Sequence, residues 1–127
     1  MIPKYRLWDS VEKKFVEHFF ITDNGLICNM EKPTSDCKLL IPIEKSELIL
    51  MQSTGLKDKN GKEIFEGDIL GTKDGLLNGV VEYRSDLGMW TNSLIRYNNF
   101  ERLCNVASDR EIIGNVYENE ELLEVEE

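Results

Sequence analysis

Apolar and polar residues alternate along most of this 127-residue chain, in short runs separated by turns that carry glycine or asparagine. An alternation with a period of two puts one face of each run against a core and the other in solvent, which is typical of a β-strand. Several short strands at regular spacing predict a mainly β fold, either a small barrel or a sandwich. The predicted strands are Tyr5–Trp8, Lys14–Ile21, Leu26–Met30, Leu39–Ile43, Asp68–Thr72, Gly79–Arg84, Met89–Ile95 and Glu111–Tyr117.

Three segments need a separate interpretation. The dipeptide Asn24-Gly25 adopts positive φ at low cost, so we expect a type I′ hairpin to join the strands on either side of it. Glu47–Gln52 is apolar enough for a strand but short enough for a single helical turn, and both interpretations stay open. Near the C-terminus, Asn119 can cap a short helix over Glu120–Leu123, whose first glutamates suit the positive end of a helix.

The most distinctive stretch is STGLKDKNGKEIFEGDIL, Ser53–Leu70, which has the glycines and acids of a ligand-binding loop. It does not match a phosphate-binding loop, because five residues rather than four separate Gly55 from Gly61, and Glu63 stands where a hydroxyl is needed. It does not match a calcium EF-hand loop, because counting back from Gly61 puts Leu56 at the first ligand position. The dinucleotide-binding fingerprint is also absent from it.

Turn chemistry explains more of this stretch. Asp58 can accept a hydrogen bond from the N–H two residues further on, and Gly61 can take positive φ. Gly67 lets the chain bend sharply before the next strand. Ile64 and Phe65 are apolar and should close the end of a barrel. The sequence therefore predicts a double turn that shapes the backbone and holds no ligand.

Few side chains could carry catalysis. Glu66 and Asp68 lie on one face beside a turn, but such a pair is common on surfaces and does not by itself perturb a pKa. His18, the only histidine, lies in an aromatic run where a structural role is the commoner one. We therefore expect no enzyme and no cofactor, and these three residues are the positions where an enzyme would have to be sought.

The three cysteines, Cys28, Cys37 and Cys104, are odd in number and lack CxxC spacing. We therefore expect buried or half-buried free thiols rather than disulfides or a zinc site. The N-terminal MIPKYRLWD has no apolar run of the kind found in secretory signals, and no apolar stretch approaches the ~20 residues of a membrane span. These features predict a cytoplasmic protein without a membrane partner.

Charge is segregated along the chain. The net charge is −9, and Glu118–Glu127 carries six glutamates and no cation. Because nucleic acids and anionic membranes are bound through basic patches, broad binding to either is disfavoured. An acidic surface can instead meet a basic protein partner or imitate DNA, although a solvated tail that keeps the protein soluble is the simpler interpretation.

Single-stranded nucleic-acid binding is an alternative that the aromatic residues keep open. Aromatic rings can stack on bases while arginines contact phosphates. The candidate contacts are Arg84, Trp90, Arg96 and Tyr97. Against this alternative, residues 75–127 hold four arginines, no lysine and eleven acidic residues.

A family resemblance adds to these inferences. The strings IPKYRLWD, MQSTGLKDKNGKEIFEGDIL, GVVEY and EIIGNVYENEELL occur in this order, and the chain resembles the YopX family of phage and prophage proteins over most of its length. Glu17–Lys45 carries no shared motif. The resemblance implies an SH3-like barrel, a phage or prophage origin, the bacterial cytoplasm and no established activity. The family-motif positions, which we interpret as structural turns, are Thr54, Gly55, Asp58, Gly61, Ile64, Glu66, Gly67 and Asp68.

The sequence thus predicts one domain over residues 1–127. It consists of a β-rich portion at 1–52, and of a small SH3-like barrel with an acidic C-terminal helix or tail at 53–127. We expect a non-enzymatic accessory protein that binds a protein partner, either a second copy of itself or a host protein. Single-stranded nucleic-acid binding and DNA mimicry are the alternatives.

Overall fold

The structure is a computed structural model that describes residues 4–21, 26–29, 39–42 and 47–124. Strands dominate these residues, so the prediction of a mainly β protein with little helix is confirmed. The helices in the described ranges are α1 (Leu103–Val106) and two 3₁₀ helices over Ala107–Asp109 and Glu120–Leu123. The strands are β1 (Tyr5–Asp9), β2 (Lys14–Phe15), β3 (Phe19–Ile21), β4 (Leu26–Asn29), β5 (Leu39–Pro42), β6 (Leu48–Lys57), β7 (Glu63–Phe65), β8 (Asp68–Gly71), β9 (Gly79–Arg84), β10 (Met89–Leu94), β11 (Phe100–Arg102) and β12 (Glu111–Asn115).

The chain divides into two compact units, of which the N-terminal unit is Tyr5–Met51. This unit contains the antiparallel sheet β3-β4-β5 and the hairpin β1-β2. Trp8 in β1 is buried, and its ring meets that of Phe15 edge-on with 5.0 Å between the centroids. The pairing of β3 with β4 confirms the predicted strand partners, whereas the Asn24-Gly25 turn lies outside the described residues.

The C-terminal unit comprises Met1–Lys4 and Gln52–Glu127. Its five-stranded antiparallel sheet has the order β11-β10-β9-β8-β12 and is curled, and β6 pairs with β7 in a hairpin. The SH3-like form of this unit stays a prediction. Its core is built by apolar side chains from the strands, α1 and the 3₁₀ helix that follows α1, namely Ile64, Leu70, Val81, Leu103 and Ala107, with Leu56, Trp90 and Ile112 packed against them.

Two strand predictions are wrong in detail. Lys14–Ile21 forms the separate strands β2 and β3, because only the first of them pairs with β1. In the central stretch, Ser53–Lys57 continues β6 instead of forming a turn. Gly55 makes this possible: it has a φ of 79° and lies inside the register shift of the β6–β7 ladder. For Glu47–Gln52 the sequence allowed either a strand or a helical turn, and the structure shows a strand from Leu48 onward.

The helix predictions hold in part. The C-terminal segment Glu120–Leu123 is helical as predicted, in the form of a 3₁₀ helix, but the Asn119 side chain does not cap it. The Asn119 Oδ1 instead accepts a hydrogen bond from the Asn115 N–H at 3.1 Å, where β12 ends and its backbone donors need new acceptors. Helix α1, which follows β11 directly, was not predicted, because a single helical turn leaves no periodic pattern.

A polar cluster is buried in the C-terminal unit. Asn92 in β10 is fully buried, and its Nδ2 donates a hydrogen bond to Glu101 Oε1 at 3.1 Å. The Arg110 guanidinium, 7% exposed, donates to both oxygens of Glu101, at 2.6 and 2.8 Å. The hydrogen bond from Arg110 holds the pKa of Glu101 below its usual value, against the opposing effect of burial. The ion pair ties β11 to the residue that precedes β12.

Gly79 in β9 is the position where this cluster requires the smallest residue. An ideal Cβ at Gly79 would lie 2.4–2.7 Å from the amide atoms of Asn92. We therefore expect Gly79→Ala to displace that amide and to lower the free energy of unfolding by about 1–3 kcal/mol, the usual cost of overpacking. Urea unfolding of the two proteins measures this difference.

The obstructing amide supplies the control for this prediction. Asn92→Ala removes it, so Gly79→Ala should cost less in an Asn92→Ala background than in the wild type. The same cost in both backgrounds would show that the close approach of Asn92 is not what excludes a side chain at Gly79.

Candidate protein-binding groove

Asp58 is a buried acid of the first turn in the central stretch, and its carboxylate accepts hydrogen bonds from backbone N–H groups. Its Oδ1 accepts hydrogen bonds from the N–H groups of Asn60 and Lys62, each at 2.9 Å, and its Oδ2 accepts one from the Ile112 N–H at 3.0 Å. Burial by itself would raise the pKa of Asp58, but the three donors outweigh burial and hold this pKa below its usual value. The carboxylate thus joins the turn to β12 rather than facing a ligand.

The other family-motif residues up to Gly67 lie in β6, at turns or in the core. Thr54 Oγ1 donates a hydrogen bond to the Ile64 carbonyl at 2.8 Å across the β6–β7 hairpin, and Ile64 is fully buried. Gly67 forms the corner between β7 and β8 with a φ of 87°, a conformation that residues with a Cβ rarely adopt. Gly55 and Gly61 have φ values of 79° and 81°. This geometry supports their proposed role in shaping the backbone.

Of the positions considered for catalysis, Glu66 and Asp68 do not form a usable acid–base pair. Asp68 is 1% exposed, and its Oδ2 accepts a hydrogen bond from the Phe65 N–H at 2.8 Å. Glu66 is half-buried in the adjacent turn, and His18 is half-buried in the N-terminal unit. Because Asp68 is closed to solvent, it cannot share an acid–base role with Glu66 on a substrate that arrives from solution.

The candidate nucleic-acid contacts are not brought together. Arg84 and Trp90 belong to adjacent cross-strand pairs of the β9–β10 ladder, so they point to opposite faces of the sheet. Arg96 and Tyr97 lie beyond the other end of β10, in the loop to β11. A stacking platform needs rings and cations on one surface. This arrangement therefore gives no support to a shared binding surface.

A groove with a volume of about 460 Å³ opens on the C-terminal unit. Leu56 from β6 and Trp90 from β10 are half-buried and pack against the core at the groove. Leu87, in the turn between β9 and β10, is 45% exposed. Most of the lining is apolar, and its residues are Thr54, Leu56, Leu87, Met89, Trp90, Arg102 and Cys104.

The turn between β9 and β10 presents Leu87 to solvent. The Leu87 N–H donates a hydrogen bond to the Arg84 carbonyl at 3.1 Å, which closes the turn. The Arg84 guanidinium makes two hydrogen bonds with the Asp86 carboxylate, at 3.1 and 3.0 Å. The Trp90 ring meets that of Tyr83 edge-on at 5.3 Å. An exposed leucine thus stands on a turn whose polar side chains are paired with each other.

One cation lies in the groove lining. The Arg102 side chain is exposed and makes no ion pair or side-chain hydrogen bond with any described residue. Thr54 is also polar, but its hydroxyl already donates a hydrogen bond to the Ile64 carbonyl and accepts one from the Leu56 N–H. The groove therefore offers an apolar surface with a single unpaired positive charge.

The predicted burial is wrong for Cys104, whose free thiol is exposed in the groove lining. Its neighbour Leu103 turns into the core at the start of α1, so the next residue faces outward. Cys37 and the side chain of Cys28 lie outside the described residues. Within the part of the chain that the structure describes, no group of three or more His, Cys, Asp or Glu residues could hold a metal ion.

Sequence reasoning did not find the groove. Its lining comes from three separate segments, around Leu56, Leu87–Trp90 and Arg102–Cys104, and no motif links them. One local signal was available: Leu87 is an apolar residue inside the polar turn Ser85–Gly88. A single exposed apolar residue is common on protein surfaces, so this signal gained meaning only once the structure placed Leu87 beside the other apolar residues of the groove.

In the described ranges, no helix is both long and apolar enough to cross a membrane. No curated protein matches the chain. The protein EF1440 from Enterococcus faecalis has a crystal structure that is similar to this chain, with 31% sequence identity, a TM-score of 0.65, and coverage of 98% of this chain and 99% of that one.

The crystal structure of yopX from Bacillus subtilis has a similar fold, with 22% identity, a TM-score of 0.56 and coverage of 97% of both chains. The family described as YopX protein matches residues 4–124. This match spans nearly the whole chain, and it agrees with the resemblance that the central string indicates. The chain therefore belongs to the YopX family.

Proposed function

We propose that this protein is a non-enzymatic interaction module that binds a protein segment in the groove of its C-terminal unit. The observation that carries the proposal is the exposed apolar lining, with Leu87 on its turn above the half-buried Leu56 and Trp90. Exposed apolar patches on soluble proteins commonly mark interaction sites, and aromatic residues and methionine are enriched in protein interfaces. The phage or prophage origin and the bacterial cytoplasm belong to this proposal, because the motif resemblance implies them.

The chemistry of the groove favours a protein partner over a small polar substrate. Small-molecule sites fix their ligands with several convergent polar groups. Here the hydroxyl of Thr54 is already engaged with the backbone, which leaves the Arg102 guanidinium and the Cys104 thiol. An apolar side chain of a partner would gain most from this surface, because it would bury against Leu56, Met89 and Trp90.

Site-specific photo-crosslinking tests the proposal. A photoreactive amino acid at Leu87, in protein expressed in bacterial cells, should give a discrete protein adduct on irradiation. Leu76 is the matched control position, because it is also a leucine on an exposed turn, 42% exposed against 45% for Leu87, and lies outside the groove. An adduct at Leu87 but not at Leu76 is the expected result.

A second pair of variants tests whether the adduct depends on the groove. Cys104→Asp adds a charge to the apolar lining at an exposed position, so it should abolish the Leu87 adduct while leaving the melting temperature nearly unchanged. Cys104→Ser keeps the size of the side chain and should keep the adduct. Equal adducts at Leu87 and Leu76, or an adduct that survives Cys104→Asp, would overturn the proposal.

A further inference from the structure

The C-terminal segment Glu120–Glu124 of this chain has the chemistry to bind in the groove. The segment Glu120–Glu124 consists of the 3₁₀ helix Glu120–Leu123 and the next residue, Glu124. None of the helix residues is buried. Leu123 is 37% exposed and lies beside Glu124. Neither Glu120 nor Glu124 forms an ion pair with any residue that the structure describes. The segment therefore presents an apolar side chain flanked by unpaired carboxylates.

These features match the groove in polarity and in charge. The groove offers apolar side chains to receive a leucine, and its one charged lining residue, Arg102, is an unpaired cation. A carboxylate next to the inserted leucine could pair with that guanidinium, a geometry that arginine favours because its donors match both carboxylate oxygens.

We infer that the groove binds the segment Glu120–Glu124 of a second copy of the chain. This inference rests on the proposed function, because it names the occupant of the same groove. Within one chain, the segment follows β12, whereas the groove lining includes the end of β11, and these strands are at opposite ends of the sheet order. No residue of the segment lines the groove of its own chain.

The contact is heterologous, because the segment of one copy meets the groove of the next. Each copy then keeps one groove and one segment available, so association continues with concentration instead of stopping at a symmetric dimer. A five-residue segment buries much less than the ~800 Å² per partner of a standard stable interface. We therefore expect weak self-association that rises with protein concentration.

Complementation between two defective variants tests this arrangement. Leu87→Asp damages only the groove and Leu123→Asp damages only the segment, and both positions are exposed, so both variants should stay folded. Each variant alone should be monomeric in sedimentation equilibrium. An equal mixture should form a heterodimer, because the intact segment of the Leu87→Asp protein can enter the intact groove of the Leu123→Asp protein.

Controls separate this inference from the proposed function. Leu76→Asp, a matched change on another turn, should self-associate like the wild type, and melting curves show whether each variant is folded. A wild type that stays monomeric up to about 1 mM, or a mixture of variants that stays monomeric while the wild type associates, would overturn the inference. If Leu87 then still crosslinks to a different protein through the groove, the proposed function stands without it.

Discussion

Glu101→Gln should lower the free energy of unfolding by about 3 kcal/mol or more. The substitution keeps the size of the side chain but removes the charge that Arg110 faces across two hydrogen bonds of 2.6 and 2.8 Å. Arg110 is 7% exposed, so its cation would be left nearly buried without a counter-charge, and breaking a buried ion pair in this way costs about 3–5 kcal/mol. Urea unfolding, followed by circular dichroism, measures the loss.

Asp86→Asn is the matched control for this prediction. It breaks a pair of the same chemistry, Arg84 with Asp86, in which the guanidinium also donates two hydrogen bonds to one carboxylate. The Asp86 side chain is 62% exposed, so solvent can replace the lost bonds and the melting temperature should stay close to that of the wild type. Equal effects of the two substitutions would show that the Glu101–Arg110 pair is no more important than a surface pair.

A double substitution separates the charge from the packing. Replacing both Glu101 and Arg110 with methionine removes the two charges together, so no cation remains buried without a partner. The double variant should therefore be more stable than Glu101→Met alone. If the double variant is the less stable of the two, the cost of an unpaired Arg110 is not what makes Glu101 important.

Asp58→Ala should lower the free energy of unfolding by about 2–4 kcal/mol. The substitution removes the acceptor of three backbone N–H groups, of which Ile112 lies 54 residues away along the chain. Buried donors that lose their partner cost about 1–3 kcal/mol each, although water can reach those near the turn surface. Amide hydrogen exchange should also become faster at Ile112, where the carboxylate joins the turn to β12.

The pH dependence gives a second measurement on Asp58. Its folded-state pKa is lowered, so the ionised carboxylate stabilises the folded protein. This stabilisation is complete above the unfolded-state pKa of about 3.9 and is lost as the pH falls through the lower folded-state value. Wild-type stability should therefore decline more steeply below pH ~4 than that of Asp58→Asn, which has no charge to lose.

Asp74→Ala is the control for losing an ordinary hydrogen bond within a turn. Asp74 also accepts a hydrogen bond from the N–H two residues further on, that of Leu76 at 3.0 Å, but it is exposed and bonds only within its own turn. We expect a much smaller change in melting temperature than for Asp58→Ala. If the two substitutions have the same effect, the bond from Asp58 to Ile112 contributes nothing beyond an ordinary turn.

The strands of the C-terminal unit follow closely from the sequence. β9 and β10 have the predicted starts, Gly79 and Met89, because their alternation is regular and a glycine turn separates them. By contrast, β11 has three residues and leads directly into the single turn of α1. Elements this short leave no periodicity, so only their packing against neighbours determines them.

The candidate site could be predicted much less well. The family motif around Asp58 was visible at once, yet its polar atoms are engaged by the backbone. The groove is formed by Leu56, Leu87 and Arg102 among others, which lie on three different segments. Neither residue type nor local spacing predicts that these positions lie close together, because their proximity depends on how the strands pair.

The amino-acid order by itself determined the strand pattern, the glycine corners and the hydrogen bond of Asp58 within its own turn, since each depends on residues only a few positions apart. Only the tertiary structure decided that Asp58 reaches Ile112, that the half-buried Glu101 pairs with Arg110, and that Arg102 lies beside an apolar groove without an ion-pair partner among the described residues. These features depend on contacts between distant segments and on the exclusion of water, and neither can be read from neighbouring residues.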